Sequence, residues 1–128
     1  RIIFLLRFAL TFVSLLYLCE KYIILINKKM IRHIVLFKMK PFDSTEERIK
    51  KLSSIKDDLE NLTKIIPEIK LLKVGINMNP NEQFDLSLLS EFESMKDLEV
   101  YAKHPDHVAV GKVIREILDA RSCVDSEF

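Results

Sequence analysis

The chain has 128 residues, 48% of them apolar and 30% charged, which suits one ordinary globular domain and excludes a disordered or fibrous class. Its two glycines, Gly75 and Gly111, cannot build a dinucleotide fingerprint or a phosphate loop, so no cofactor is expected, and its two distant cysteines suggest a reducing, cytoplasmic setting. Beneath the net charge of +1 lies an uneven split, with a surplus of bases in residues 1–29 and a net −3 in residues 30–128, and a nucleic-acid partner is excluded for want of a basic face.

Residues 2–19 are apolar except for Arg7 and two small hydroxyl residues, and a second apolar run follows Glu20 and Lys21. A spanning helix wants about 20 apolar residues, and a secretory signal wants a small-residue cleavage site that Leu18-Cys19-Glu20 does not offer. Met30 directly precedes a strand pattern. Residues 1–29 are therefore expected to be a leader outside the domain, from upstream translation or a cloning remnant, with Met30 as the natural start of a domain over 30–128. A membrane anchor is the alternative.

Residues 31–39 alternate as a strand, apolar on both faces at the centre. Pro41 ends it. The run Asp43-Ser44-Thr45-Glu46-Glu47, capping residues followed three positions on by glutamate, then starts a helix. Its apolar stripe is Ile49, Leu52, Ile55, Leu59, Leu62 and Ile66, and Pro67 stops it. Residues 69–78 and 84–93 form two more strands joined through Pro80. Ser94 and Asp97 open a second helix that breaks at His104-Pro105 and resumes at once. Val108, Val113, Ile114, Ile117 and Leu118 supply its apolar face, and residues 121–127 close as a short strand. The order is βαββαβ, an α+β ferredoxin-like unit with a four-stranded antiparallel sheet. Helices on one face leave the other apolar face uncovered, so a homodimer, forming a dimeric α/β barrel, is expected.

The strand Ile31-Arg32-His33-Ile34-Val35-Leu36-Phe37-Lys38, the segment Phe92-Glu93-Ser94, the run from Tyr101 to Val108 and the closing Val124-Asp125 resemble the stress-responsive dimeric A/B barrel (Dabb) family over essentially all of residues 30–128. The resemblance implies a ferredoxin-like homodimer. Through a plant relative, olivetolic acid cyclase, it further implies His107 as a general base and Tyr101 as its assistant, with His33 in the same pocket. Leu86 stands where that cyclase has a further pocket histidine, and Ser126 replaces a frequent tyrosine.

Read physically, His107 lies at a helix start, where backbone amides favour a neutral imidazole able to take a proton. Tyr101 could donate to an enolate, and Val35, Phe37 and Val108 could line a site for a small apolar or polyketide-like ligand. Each residue also has a plainer reading. His104 would mark a helix junction, His107 could cap backbone groups, His33 could be a bonded core histidine, and Tyr101 could simply pack. Cys123 reads as a small core hydrophobe. A metal site is not expected, because the histidines have no carboxylate or cysteine at ligand spacing. Three functions follow: a ligand-binding dimer with or without cyclase-like acid–base chemistry, a non-catalytic stress protein, and, by fold analogy alone, a cofactor-free monooxygenase.

Overall fold

A computed structural model describes residues 1–26 and 28–128. The strand β1 (Ile31–Met39) shows why the rest assembles as it does. Its odd residues Ile31, His33, Val35, Phe37 and Met39 are buried, while Arg32, Ile34, Leu36 and Lys38 point the other way. The period of two thus assigns one face to the core and one to the outside. Ser44 caps α2 (Thr45–Asn61), its hydroxyl accepting from the Glu47 amide, and Glu47 reaches back to the Asp43 amide. Leu52, Ile55 and Leu59 carry the stripe into the core, whereas Ile49, included in the stripe from its spacing, is 54% exposed at the helix start. The helix stops earlier than Pro67. A 3₁₀ turn (Leu62–Lys64) tightens the chain and still buries Leu62 and Ile66.

Strands β2 (Leu71–Ile76) and β3 (Leu86–Phe92) are shorter than the expected 69–78 and 84–93. Ser94 caps α3 (Met95–Lys103), and His104 ends α3 and caps α4 (Pro105–Ile117). The last strand, β4 (Leu118–Glu127), begins three residues before the expected position. Leu118, assigned to the helix by its spacing, instead pairs with Met39, and Ala120 pairs with Lys38. The ladder with the long β1 overrides the strong helical propensity of Leu118 and Ala120.

The antiparallel sheet has the order β2-β3-β1-β4, the ferredoxin-like arrangement. Phe92, Leu88, Leu72 and Val74 meet Val35, Phe37 and the buried side of α2 in one core. At the β2 edge, Lys56 donates to the Val74 carbonyl and Glu60 accepts from its amide, so helix side chains occupy backbone groups that an edge strand leaves open. The opposite face carries Ile34, Leu36, Leu71 and Leu89, with Val124 62% exposed at the edge. Ahead of the sheet, α1 (Ile2–Ile26), none of it buried, contains an 18-residue stretch with a mean hydropathy of 2.3 and is long and apolar enough to cross a membrane.

Candidate functional site

Three of the residues singled out in the sequence converge on the helix-covered side of the sheet. His33 projects from central β1, opposite Ser90 on one neighbour and Asp125 on the other. Its Nδ1 lies 2.5 Å from an Asp125 carboxylate oxygen. A carboxylate only accepts, so this nitrogen carries the proton and Nε2 is left free. Tyr101, on α3, is 1% exposed. Its ring packs against Phe92 at 5.1 Å, His107 at 4.3 Å and, edge-on, His33 at 6.3 Å between centroids. These separations suit aromatic pairing.

His107 lies in the first turn of α4 and donates from Nδ1 to the Ala102 carbonyl at 3.0 Å. That bond fixes its tautomer: in the neutral ring the lone pair is on Nε2. Burial is the chief cause holding its pKa below the usual histidine range. The Ala102 bond opposes the shift, while His33, Arg115 and Arg121 add to it. The direction matches the expectation from the helix start, but burial rather than the helix dipole dominates. Tyr101 is pushed up to about 12, mainly by burial, with Arg121 pulling the other way. The phenol therefore stays protonated, and its hydroxyl bonds to no other described residue. A neutral acceptor and a protonated donor thus stand side by side, the pairing needed to move a proton and hold the resulting oxyanion.

A cleft of about 290 Å³ joins these groups. Val35, Phe37, Leu59, Leu88, Ile114 and Leu118 give it apolar walls, and His33, Tyr101, His107, Gly111, Arg115 and Arg121 complete the lining. Val108 is not in it; one position on from His107, it is turned outward and 37% exposed. His104 is a junction residue, its Nδ1 accepting from the Asp106 amide at 3.2 Å. Leu86 belongs to the core opposite Phe37, outside this cleft, and Ser126 is exposed beside Arg32.

Two expectations about β4 are corrected. Cys123 is exposed because β4 is an edge strand that the helices do not roof. Burial, followed by Asp125, raises its pKa and keeps it a thiol, which disfavours a nucleophile. A carboxylate and a cysteine do stand at ligand spacing from a histidine. His33 Nδ1, Cys123 Sγ and an Asp125 oxygen lie within 4.8 Å of one another, and among the described residues these are the groups able to hold a metal. Antiparallel register brings residues 33, 123 and 125 together, and local spacing carries no trace of it.

Asp125, Arg115 and Arg121 were missed as site residues. Arg115 had a readable signal, since His107, Gly111 and Arg115 recur every four residues on one helix face. Asp125 and Arg121 had none short of the β1–β4 register.

Residues 31–128 match the model of the stress responsive A/B barrel domain. A dimeric protein of unknown function and ferredoxin-like fold from Bacteroides fragilis NCTC 9343 is 43% identical, with a TM-score of 0.73 over 77% of this chain and 96% of that one. The hydroxynitrile lyase from Passiflora edulis gives 24% identity and a TM-score of 0.67, over 79% of this chain and 94% of that one. A Dabb family protein with a ferredoxin-like fold from Mesorhizobium loti gives 24% and 0.60, over 77% and 95%. No curated protein matches the chain.

Proposed function

The chain belongs to the stress responsive A/B barrel domain family, and from that premise we propose that it acts as a homodimer that binds a small, mostly apolar carbonyl compound in the cleft and removes a proton beside the carbonyl. The uncovered face with Ile34, Leu36 and Leu89, together with the dimeric relative at 43% identity, supports the dimer. Pairing through that face leaves the helix side free for ligand.

The observation that carries the chemistry is the His107–Tyr101 pair. His107 Nε2 takes the proton from carbon, the C–H electrons pass into the C=C–O⁻ of an enolate, and the Tyr101 hydroxyl donates to the oxygen where charge gathers. His33, held by Asp125, meets the Tyr101 ring edge-on. Return of the proton completes exchange, and attack of the enolate on a second carbonyl would complete an aldol step. The cleft lies at the small end of the roughly 300–1,000 Å³ typical of ligand sites, so the compound is small.

The test is exchange of the α-protons of benzylacetone for deuterium, followed by NMR in heavy water with the full chain. The expected result is enzyme-dependent exchange that falls about 10²–10⁴-fold in His107→Gln, with sedimentation of the variant unchanged. No exchange above buffer, or equal exchange by wild type and variant, would leave the cleft as a binding site without this chemistry. Dissociation of the variant into monomers would show His107 to be structural.

A further inference from the structure

The domain has four arginines, and their partners divide them. Arg32 pairs with Glu91 and Arg48 with Asp85. Arg115 and Arg121 have no acidic partner among the described residues, and both line the cleft. No carboxylate balances them there: Asp125, on the same face of β4 as Arg121, is engaged by His33 and is absent from the lining. All the permanent charge on the cleft wall is therefore positive.

Gly111 adds a second, independent observation. A glycine inside a helix weakens it, and neither glycine of the chain has a positive φ that would require one. What Gly111 supplies is space. A β-carbon there would lie 3.4 Å from one Arg115 guanidinium nitrogen and 3.7 Å from the other, so the guanidinium, though exposed, lies back over Gly111 on the helix face that also carries His107.

The structure assigns to the cleft a substrate class: we propose that it takes small carboxylates, with the anionic end held by Arg115 and Arg121 and the apolar body on Val35, Phe37 and Ile114. Guanidinium forks match carboxylate geometry. The inference deepens the reading above and rests on it for the identity of the site. Anchored at one end by the arginines, a ligand of this kind lies across the Tyr101–His107 pair, and the same positive charges favour an enolate as it forms.

The experiment uses hexanoate and its uncharged counterpart hexanamide as probes, with binding to the full-length protein followed by NMR titration at low and high salt. Hexanoate is expected to bind about tenfold or more tightly than hexanamide, with the difference shrinking as salt screens the charges. Arg115→Gln and Arg121→Gln should each weaken hexanoate several-fold, and together they should erase the preference while hexanamide is unchanged. Both side chains are exposed, so the variants retain the fold. Equal affinities for the two probes, no binding of either, or a preference that survives the double variant would overturn the proposal. Because the readout is binding, it is separable from the benzylacetone test: charge preference without exchange refutes the chemistry alone, and exchange without charge preference refutes the substrate class alone.

Discussion

Replacing Tyr101 by phenylalanine removes a single oxygen from a ring that is 1% exposed, and its consequences for stability and for chemistry should part company. The stabilising contacts of Tyr101 belong to the ring, against Phe92, His107 and His33, and Tyr101→Phe keeps all of them. The hydroxyl gives no bond to another described residue, so its loss breaks no hydrogen bond within the fold and removes a polar oxygen that burial has partly desolvated. The expected change in stability is zero to a gain of about 1 kcal/mol, which for a domain of about 100 residues raises Tm by at most about 8 °C. Tyr101→Ala, which empties the ring site, should cost about 3–5 kcal/mol. If the hydroxyl holds the developing oxyanion, Tyr101→Phe should slow benzylacetone exchange about 10²–10³-fold despite its intact fold. Calorimetry at one fixed protein concentration, since a dimer's Tm depends on concentration, and deuterium exchange by NMR supply the two readouts. A Tyr101→Phe protein destabilised by more than about 1.5 kcal/mol would reveal a structural partner for the hydroxyl, and unchanged exchange would remove Tyr101 from the chemistry.

Placing charges on the uncovered face with Ile34→Asp and Leu89→Asp, two cross-strand neighbours, should convert the proposed dimer to monomer in sedimentation while leaving the far-UV spectrum folded; a persistent dimer would move the interface elsewhere. For His107, burial lowers the folded pKa below the unfolded value of about 6.5. The unfolded chain therefore takes up the proton first as pH falls, and stability from this residue, full above pH 6.5, declines from there toward the folded pKa. Urea midpoints measured between pH 7.5 and 5.5 should fall less steeply in His107→Gln than in wild type. Parallel curves would show that folding does not lower the pKa of this histidine.

The order of elements was legible because it rests on local signals: Ser44 and Ser94 as caps, Pro41 and Pro105 as breaks, and alternation along residues 31–39 all act within a few residues. The Tyr101, His107 and His33 cluster was legible for a different reason, since the family-like run carries it. Partners set by register were not legible. Asp125 meets His33 across a separation of 92 residues, and the placement of Arg121 opposite Phe37 depends on the same ladder. Boundaries slipped where tertiary pairing overruled propensity, as when Leu118 left the helical pattern to join Met39.

The junction at His104–Pro105 decides the make-up of the site in a way that concerns phase rather than packing. Along an unbroken α-helix six residues turn through about 600°, so Tyr101 and His107 would stand some 240° apart around the axis, on different sides. In the fold the extended backbone of His104, at φ −61° and ψ 134°, resets the count, and the two rings meet. Proline keeps the reset in place, because it has no amide to rejoin the ladder and disfavours helical geometry in the residue before it. The backbone thus sets which positions face each other before any side chain is chosen. Positions 101 and 107 form a mounted pair, open to different chemistries as their residues change, with the sheet beneath them left untouched.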